Sequence, residues 1–141
     1  MKLVEGQVLS LIISLPYHGE FQQKHPYLIL HIDQINKIVE VGQLHSVEGK
    51  MFEAIDEKNK IIYATNPKET VIDKDSFIQK NNKITIELFE ELEQYRRQPD
   101  KLTNRRFQEV VYAYDKYHKE NFIEKNRKVH LSKTRILDLN S

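Results

Sequence analysis

Three apolar, β-rich runs in the first third of the chain constrain its fold more than any other feature. They span residues 8–15, 27–31 and 38–44, and short polar segments link them. Runs of this kind, bounded by turn residues, predict consecutive strands of an antiparallel meander. The first run is too apolar for a strand with one solvent-exposed face, which indicates that it is buried in a strongly curved sheet.

The second half of the chain changes to helical spacing. Leu88, Leu92 and Tyr95 predict a helix from about residue 87 to 97, before Pro99. Thr103 is the expected N-cap of a second helix that ends near residue 121 and carries its apolar side chains on one face: Phe107, Val110, Val111, Tyr114 and Tyr117.

We therefore predict an α+β fold, because the strand and helix blocks are segregated along the chain. A small curved antiparallel sheet or SH3-like barrel is expected over residues 7–86, with shorter strand pieces near 61–64, 71–72, 76–78 and 83–86. Two C-terminal helices follow over 87–121. The basic tail, 122–141, contains an alternating Val129-His130-Leu131 that predicts either an edge strand or a loose end.

Composition favours one soluble domain in a reducing cytoplasm. The chain has 141 residues and no cysteine, so it can form neither a disulfide nor a thiolate metal site. Its longest apolar run, 8–15, is far shorter than the roughly 20 residues of a membrane span, and no membrane association is expected.

Several common chemistries are excluded by the motifs the chain lacks. Its four glycines, at positions 6, 19, 42 and 49, cannot form a phosphate-binding P-loop or a dinucleotide fingerprint. No zinc-hydrolase or clustered aspartate pattern occurs either, so neither a metal nor another cofactor is expected. The six histidines remain the main candidates for proton transfer near neutral pH.

The layout of the first third resembles the small RNA-cleaving toxins of the PemK/MazF type. A glycine, Gly6, opens the first strand, Pro26 begins the second, and His45-Ser46 ends the third, so the likeness covers about residues 4–50. This resemblance implies an endoribonuclease that cleaves single-stranded RNA to leave a cyclic phosphate, acts as a homodimer and is restrained by a protein antitoxin. A ToxN-like toxin, restrained by a structured RNA, is the close alternative.

The resemblance also suggests the catalytic residues, with one departure from the family. His25 stands before Pro26 where the family has an arginine, and Lys24 would supply the permanent positive charge that a histidine lacks. Either His45 or Ser46 occupies the family's hydroxyl position. If it is His45, two imidazoles would form an acid and base pair. His18, in the polar loop between the first two strands, is either a residue that stacks on an RNA base or a solvated loop residue.

Charge is distributed unevenly along the chain. Residues 95–141 contain 12 Lys/Arg and 6 Asp/Glu, whereas the first 94 contain 10 and 15. Within the basic half, we expect a group of arginines around the predicted interhelical turn to bind RNA phosphates or an acidic partner, unless they are only surface charges: Arg96, Arg97, Arg105 and Arg106. A non-catalytic RNA- or protein-binding module on the same barrel is the alternative function.

Overall fold

The computed structural model describes residues 3–16, 23–64 and 69–141. The strands in these ranges are β1 (Val8–Ile12), β2 (Lys24–Asp33), β3 (Ile38–Ser46), β4 (Asn59–Ile62), β5 (Ser76–Gln79), β6 (Lys83–Glu87) and β7 (Lys128–Leu131). The α-helices are α1 (Met51–Ala54), α2 (Asn104–Glu120) and α3 (Lys133–Leu139), and 3-10 helices span Glu90–Tyr95 and Lys125–Arg127.

The seven described strands belong to one sheet. Neighbours along its main path are β1, β2, β3, β5 and β4, while β6 pairs with β3 and with β7. Every pairing is antiparallel except the one between β6 and β7, which is parallel. The α+β prediction of a small sheet followed by C-terminal helices is confirmed, and the sheet is open rather than closed into a barrel.

Both faces of the central strands are buried. In β2, Tyr27 and Ile29 pack into one hydrophobic cluster with Leu92 of the first 3-10 helix and Ile136 of α3, whereas Leu28 and Leu30 pack into a second. That second cluster includes the apolar face of α2: Phe107, Val110 and Tyr114. In β1, Val8 packs into the second cluster, whereas Leu9 and Leu11 pack into the first. Because β1 is covered on both sides, the first apolar run has no need of polar alternation.

The helical half differs in detail from the sequence prediction. Glu87 ends β6, and the expected helix from 87 to 97 is a single 3-10 segment. Thr103 occupies the N-cap of α2, but its side chain makes no capping hydrogen bond. Its backbone N–H instead donates to the Glu69 carboxylate. The tail forms the predicted edge strand, β7, and then α3, which the sequence reading missed.

Strand β3 exchanges one partner for another along its length. Residues Ile38–Val41 pair with β6, and Leu44–Ser46 pair with β5. Gly42 lies between the two stretches, where a Cβ atom would be 2.2 Å from Cδ1 of Ile78 in β5. Glycine therefore lets β5 approach closely at the point where the partner changes.

The outer edge of β1 is covered rather than open. The backbone N–H of Arg97 donates to the Val8 carbonyl at 2.7 Å, and Leu9 forms an isolated bridge with Arg96. The Asn140 side chain both accepts from the backbone N–H of Ile12 at 2.8 Å and donates to the Ile12 carbonyl at 3.0 Å. These contacts satisfy backbone groups that an edge strand would otherwise expose. Among the described helices, none has the length and apolar character required to cross a bilayer.

Candidate active-site cleft

A cleft opens where β2 and β3 separate. Their paired register ends at Tyr27 opposite Gln43. Beyond this pair, the start of β2 stays with β1 and the end of β3 stays with β5, so the two segments diverge. The resulting space is about 380 Å³, and its lining includes the side chains of both predicted catalytic strands. The cleft is thus a direct product of the sheet topology.

His25 and His45 face each other across this cleft. Each lies two residues outward from the Tyr27–Gln43 pair, so the two histidines lie on the same side of their strands. Their ring centroids are 6.2 Å apart with an interplanar angle of 55°. The structure therefore brings together the two imidazoles that the sequence identified as a possible acid and base pair.

The His45 ring is held by aromatic packing. It stacks on Phe77, its cross-strand neighbour in β5, with centroids 5.2 Å apart and an angle of 23°. Phe77 is buried, and it belongs to a small cluster with Val47, which follows β3, and with Ala54, which lies in α1. Because Phe77 of β5 packs on one face of the imidazole, His45 has a defined orientation toward the cleft.

His25 is half-buried beside a positive charge. Burial lowers the pKa of its imidazole below the usual value, and the nearby Lys50 ammonium lowers this pKa further. Both effects disfavour the protonated ring. His25 is therefore biased toward its neutral form, which is the form that can accept a proton.

Three cationic side chains and one carboxylate complete the charges of the cleft. Lys50 and Lys74 line it from the segments that follow β3 and precede β5, and Arg97 lines it from the segment beside β1. The Arg97 guanidinium lies 3.5 Å from the Asp73 carboxylate, in a pair that is largely exposed. Positive charge therefore exceeds negative charge at the cleft, as suits an anionic ligand.

Hydroxyl groups also line the cleft, including Ser46. Its Oγ accepts a hydrogen bond from the backbone N–H of Glu48 at 3.3 Å, while Ser76 Oγ donates to the Lys74 carbonyl at 2.9 Å. These bonds link the cleft walls to the adjoining loops. Ser46 retains the capacity to donate its proton to a ligand oxygen.

Of the remaining predicted RNA-binding residues, most of those that the structure describes lie away from this cleft. His18 lies outside the described residues, and Lys24 is exposed at the first position of β2, away from the cleft lining. Of the four arginines, Arg97 lines the cleft, Arg96 lies along the edge of β1, and Arg105 is exposed on the first turn of α2. Arg106 instead contacts Glu69 and the Tyr63 carbonyl. The arginines thus occupy different environments.

Sequence reasoning missed Lys50, Asp73 and Lys74. All three lie in connecting segments without a motif, and only the pairing of β3 with β5 brings these segments to His25. One signal was available, since loops next to strand ends often carry binding residues. That signal alone would have selected many other lysines of this chain equally well.

The side chains that line the cleft are of the kinds that carry out acid–base chemistry. Across residues 3–16, 23–64 and 69–141, the structure contains no group of three or more His, Cys, Asp or Glu side chains arranged to hold a metal ion. A comparison of the chain with protein-family models and with curated protein sequences finds no match.

Proposed function

We propose that this protein is a metal-independent endoribonuclease that cleaves single-stranded RNA by attack of a 2′-hydroxyl on the adjacent phosphate. The observation that carries the proposal is the pair of imidazoles, 6.2 Å apart, in a cleft lined by Lys50, Lys74 and Arg97. Such a reaction needs a base, an acid and stabilisation of negative charge, and the cleft offers a side chain for each requirement.

His25 is the proposed general base. Its lowered pKa keeps the ring neutral at physiological pH, so it can accept the proton of the 2′-hydroxyl. The 2′-oxygen then forms a bond to phosphorus as the bond from phosphorus to the 5′-oxygen breaks. The products are a 2′,3′-cyclic phosphate and a 5′-hydroxyl, and no water is consumed.

His45 is the proposed general acid. It would donate a proton to the departing 5′-oxygen, which balances the proton that His25 takes up. Its stack on Phe77 limits the positions of the ring, as a proton donor for one defined oxygen requires. Exchange with solvent then returns both imidazoles to their starting states.

The cationic side chains would stabilise the additional negative charge that develops on the phosphate oxygens. Arg97 can form two parallel hydrogen bonds with a phosphate, whereas Lys50 and Lys74 act as point charges. Ser46 can donate to one of the same oxygens. Arg97 thereby takes the phosphate-binding role that the resemblance assigns to an arginine at the position of His25.

Cleavage of a single-stranded RNA in excess EDTA tests this proposal. We expect defined fragments with cyclic phosphate ends, and no cleavage at a linkage whose 2′-hydroxyl is replaced by hydrogen. The His25→Ala variant should cleave about 100-fold or more slowly, the usual scale for loss of a general base. Undiminished cleavage by folded His25→Ala protein, or complete inhibition by EDTA, would contradict the mechanism.

We further propose that the protein acts in the cytoplasm as the toxin of a toxin–antitoxin pair. In this role it forms a homodimer, and an antitoxin, either a protein or a structured RNA, inhibits cleavage at the cleft. Co-expression with the product of a neighbouring gene, or with a neighbouring RNA repeat, should relieve growth arrest caused by the chain. RNA binding without any cleavage would instead favour the alternative, a non-catalytic RNA-binding module.

A further inference from the structure

The outer face of α2 carries a stripe of side chains that the proposed cleavage reaction does not use. The opposite face of the helix packs Phe107, Val110 and Tyr114 against the sheet. Because successive helical residues are about 100° apart, six outer residues fall within about 100° of the helix circumference. We call this set the α2 stripe: Arg105, Glu109, Tyr112, Ala113, Lys116 and Glu120. None of its members lines the cleft.

Charge follows a symmetric order along the α2 stripe, whose midpoint lies between Tyr112 and Ala113. Glu109 and Lys116 carry opposite charges at equal distances from this midpoint, about 5 Å along the axis at 1.5 Å per residue. Arg105 and Glu120 repeat the relation one turn further out. A second copy of α2, laid antiparallel on the first, would therefore meet opposite charges at all four positions.

The net charge of the α2 stripe also favours a second copy as its occupant. The stripe has two cationic and two anionic side chains, so its formal charge is zero. A patch with an excess of one sign would repel its own copy, whereas a polyanion would meet as much repulsion as attraction here. A two-fold interface uses the same patch on both subunits, which requires a self-complementary surface of this kind.

Tyr112 provides an apolar contact beside the midpoint. The residue is 69% exposed although it lies in the middle of α2. A two-fold axis at the midpoint would bring the Tyr112 rings of two copies together, a contact that buries apolar area on both. Ala113, on the other side of the midpoint, is small enough for two helices to approach closely.

Two grooves flank Tyr112 and Lys116. One has a volume of about 590 Å³ and is also lined by Ala113 and Tyr117, whereas the other, of about 560 Å³, is also lined by Gln108. These additional residues lie on opposite sides of the α2 stripe. The stripe is thus a ridge between two grooves, and helices pack by placing the ridge of one in a groove of the other.

We propose that two copies of this protein associate through antiparallel packing of their α2 stripes. Glu109 of each copy pairs with the partner's Lys116, and the two Tyr112 rings contact each other. Lys116 and Glu120 of one chain are 3.9 Å apart in an exposed, weak pair that leaves Lys116 able to bind a second carboxylate. Arg105 and Glu120 lie at the rim, where an exposed ion pair contributes little. The stripe names the interface of the homodimer proposed above and rests on that part of the proposed function.

Sedimentation velocity of the full chain over a series of protein concentrations tests this interface. The parent mass should rise toward twice the 16.8 kDa of one chain. Glu109→Lys and Lys116→Glu should each weaken self-association about 10-fold or more, because each replaces two attractive pairs by two repulsive ones. Lys128→Glu is the matched control, since it makes the same charge change at an exposed residue of β7 and should leave self-association unchanged.

An equimolar mixture of the Glu109→Lys and Lys116→Glu chains tests the antiparallel register itself. In a mixed dimer, both contacts between positions 109 and 116 join opposite charges again. The mixture should therefore associate nearly as strongly as the parent, and so should the double variant Glu109→Lys, Lys116→Glu. Circular dichroism of each variant reports whether it is folded.

Three results would overturn this proposal. They are a parent that stays monomeric at every concentration, single charge variants that associate as the parent does, and a mixture that associates no better than its two components. A dimer formed through another surface would give the second result. Failure of the cleavage proposal is distinguishable, because His25→Ala removes cleavage without changing the α2 stripe, and Glu109→Lys changes the stripe without changing the cleft lining.

Discussion

Arg106 and Glu69 form an ion pair that joins α2 to the segment preceding β5. The Glu69 side chain is only 4% exposed, and its second oxygen accepts the backbone N–H of Thr103 at the start of α2. The Arg106 guanidinium also donates to the Tyr63 carbonyl after β4. A single arginine thereby connects α2 with two connecting segments of the sheet.

Loss of this pair should destabilise the fold. In Arg106→Gln, the buried Glu69 carboxylate loses its charged partner, a change that costs about 3–5 kcal/mol when the remaining charge stays buried. Urea unfolding measures the difference. Arg105→Gln is the control, because Arg105 is exposed on the same turn of α2, and it should change stability by less than about 0.5 kcal/mol. Equal losses in the two variants would contradict a structural role specific to Arg106.

Gly42→Ala should also destabilise the protein, for a steric reason. The added methyl group would overlap the buried Ile78 side chain, and overpacking of this kind costs about 1–3 kcal/mol. The double variant Gly42→Ala, Ile78→Val removes one of the overlapping carbons and should regain part of the loss. Thermal unfolding of the two variants and of Ile78→Val alone gives the comparison, and no recovery in the double variant would contradict this explanation.

The pH dependence of cleavage should follow the lowered pKa of His25. A base with a lowered pKa loses its function only when pH falls below 6.5, the ordinary pKa of histidine, so kcat/KM should decline on that acidic side. Lys50→Gln removes one of the two causes of the shift. The acidic limb of the profile should therefore move to higher pH in this variant, and an unmoved limb would exclude Lys50 as an electrostatic neighbour of the base.

The same pKa shift has a consequence for folding. The unfolded chain protonates His25 near pH 6.5, but the folded chain does so only at lower pH. The contribution of neutral His25 to stability is thus complete above pH 6.5 and declines as pH falls through the interval between the two pKa values. Urea unfolding at several pH values should show this decline, and His25→Gln should reduce it.

Asp73→Asn should strengthen binding of an anionic ligand to the cleft. The Asp73 carboxylate competes with a phosphate for Arg97, but the pair is exposed and its interaction is modest. We expect affinity for a single-stranded oligonucleotide to rise about 2- to 5-fold at low salt, with the gain reduced at high salt. Lys74→Gln should act in the opposite direction. Weaker binding by Asp73→Asn would show instead that Asp73 positions Arg97 for its ligand.

Much of the sheet could be predicted because its evidence is local. The apolar runs around residues 8–15, 27–31 and 38–44 overlap β1, β2 and β3, although β1 already ends at Ile12 and β2 already begins at Lys24. The break after β6 marks the change to helices. Short elements were harder to predict. Helix α1 has four residues and exposes Met51 and Phe52, so it lacks the buried repeat that identifies longer helices.

The candidate site was predicted in part, for a similar reason. His25 precedes Pro26 at the start of one strand, and His45 precedes Ser46 at the end of the next. These two patterns predicted both histidines as candidate catalytic residues. Lys50 and Lys74 depend on the pairing of β3 with β5, which is a contact between distant parts of the chain. The arginines illustrate the opposite error, since proximity in sequence suggested one cluster although the fold gives Arg97 and Arg106 different partners.

The Asn140 side chain covers one end of β1. Its position in the chain determines how long this strand edge stays unpaired during synthesis. Ile12 and Asn140 are separated by 128 residues, so a growing chain presents the bare end of this strand until Asn140 has been synthesised. An exposed strand edge is a template for pairing with other chains. Nascent chains crowded on one messenger RNA would therefore be more prone to aggregate before this contact forms than after it.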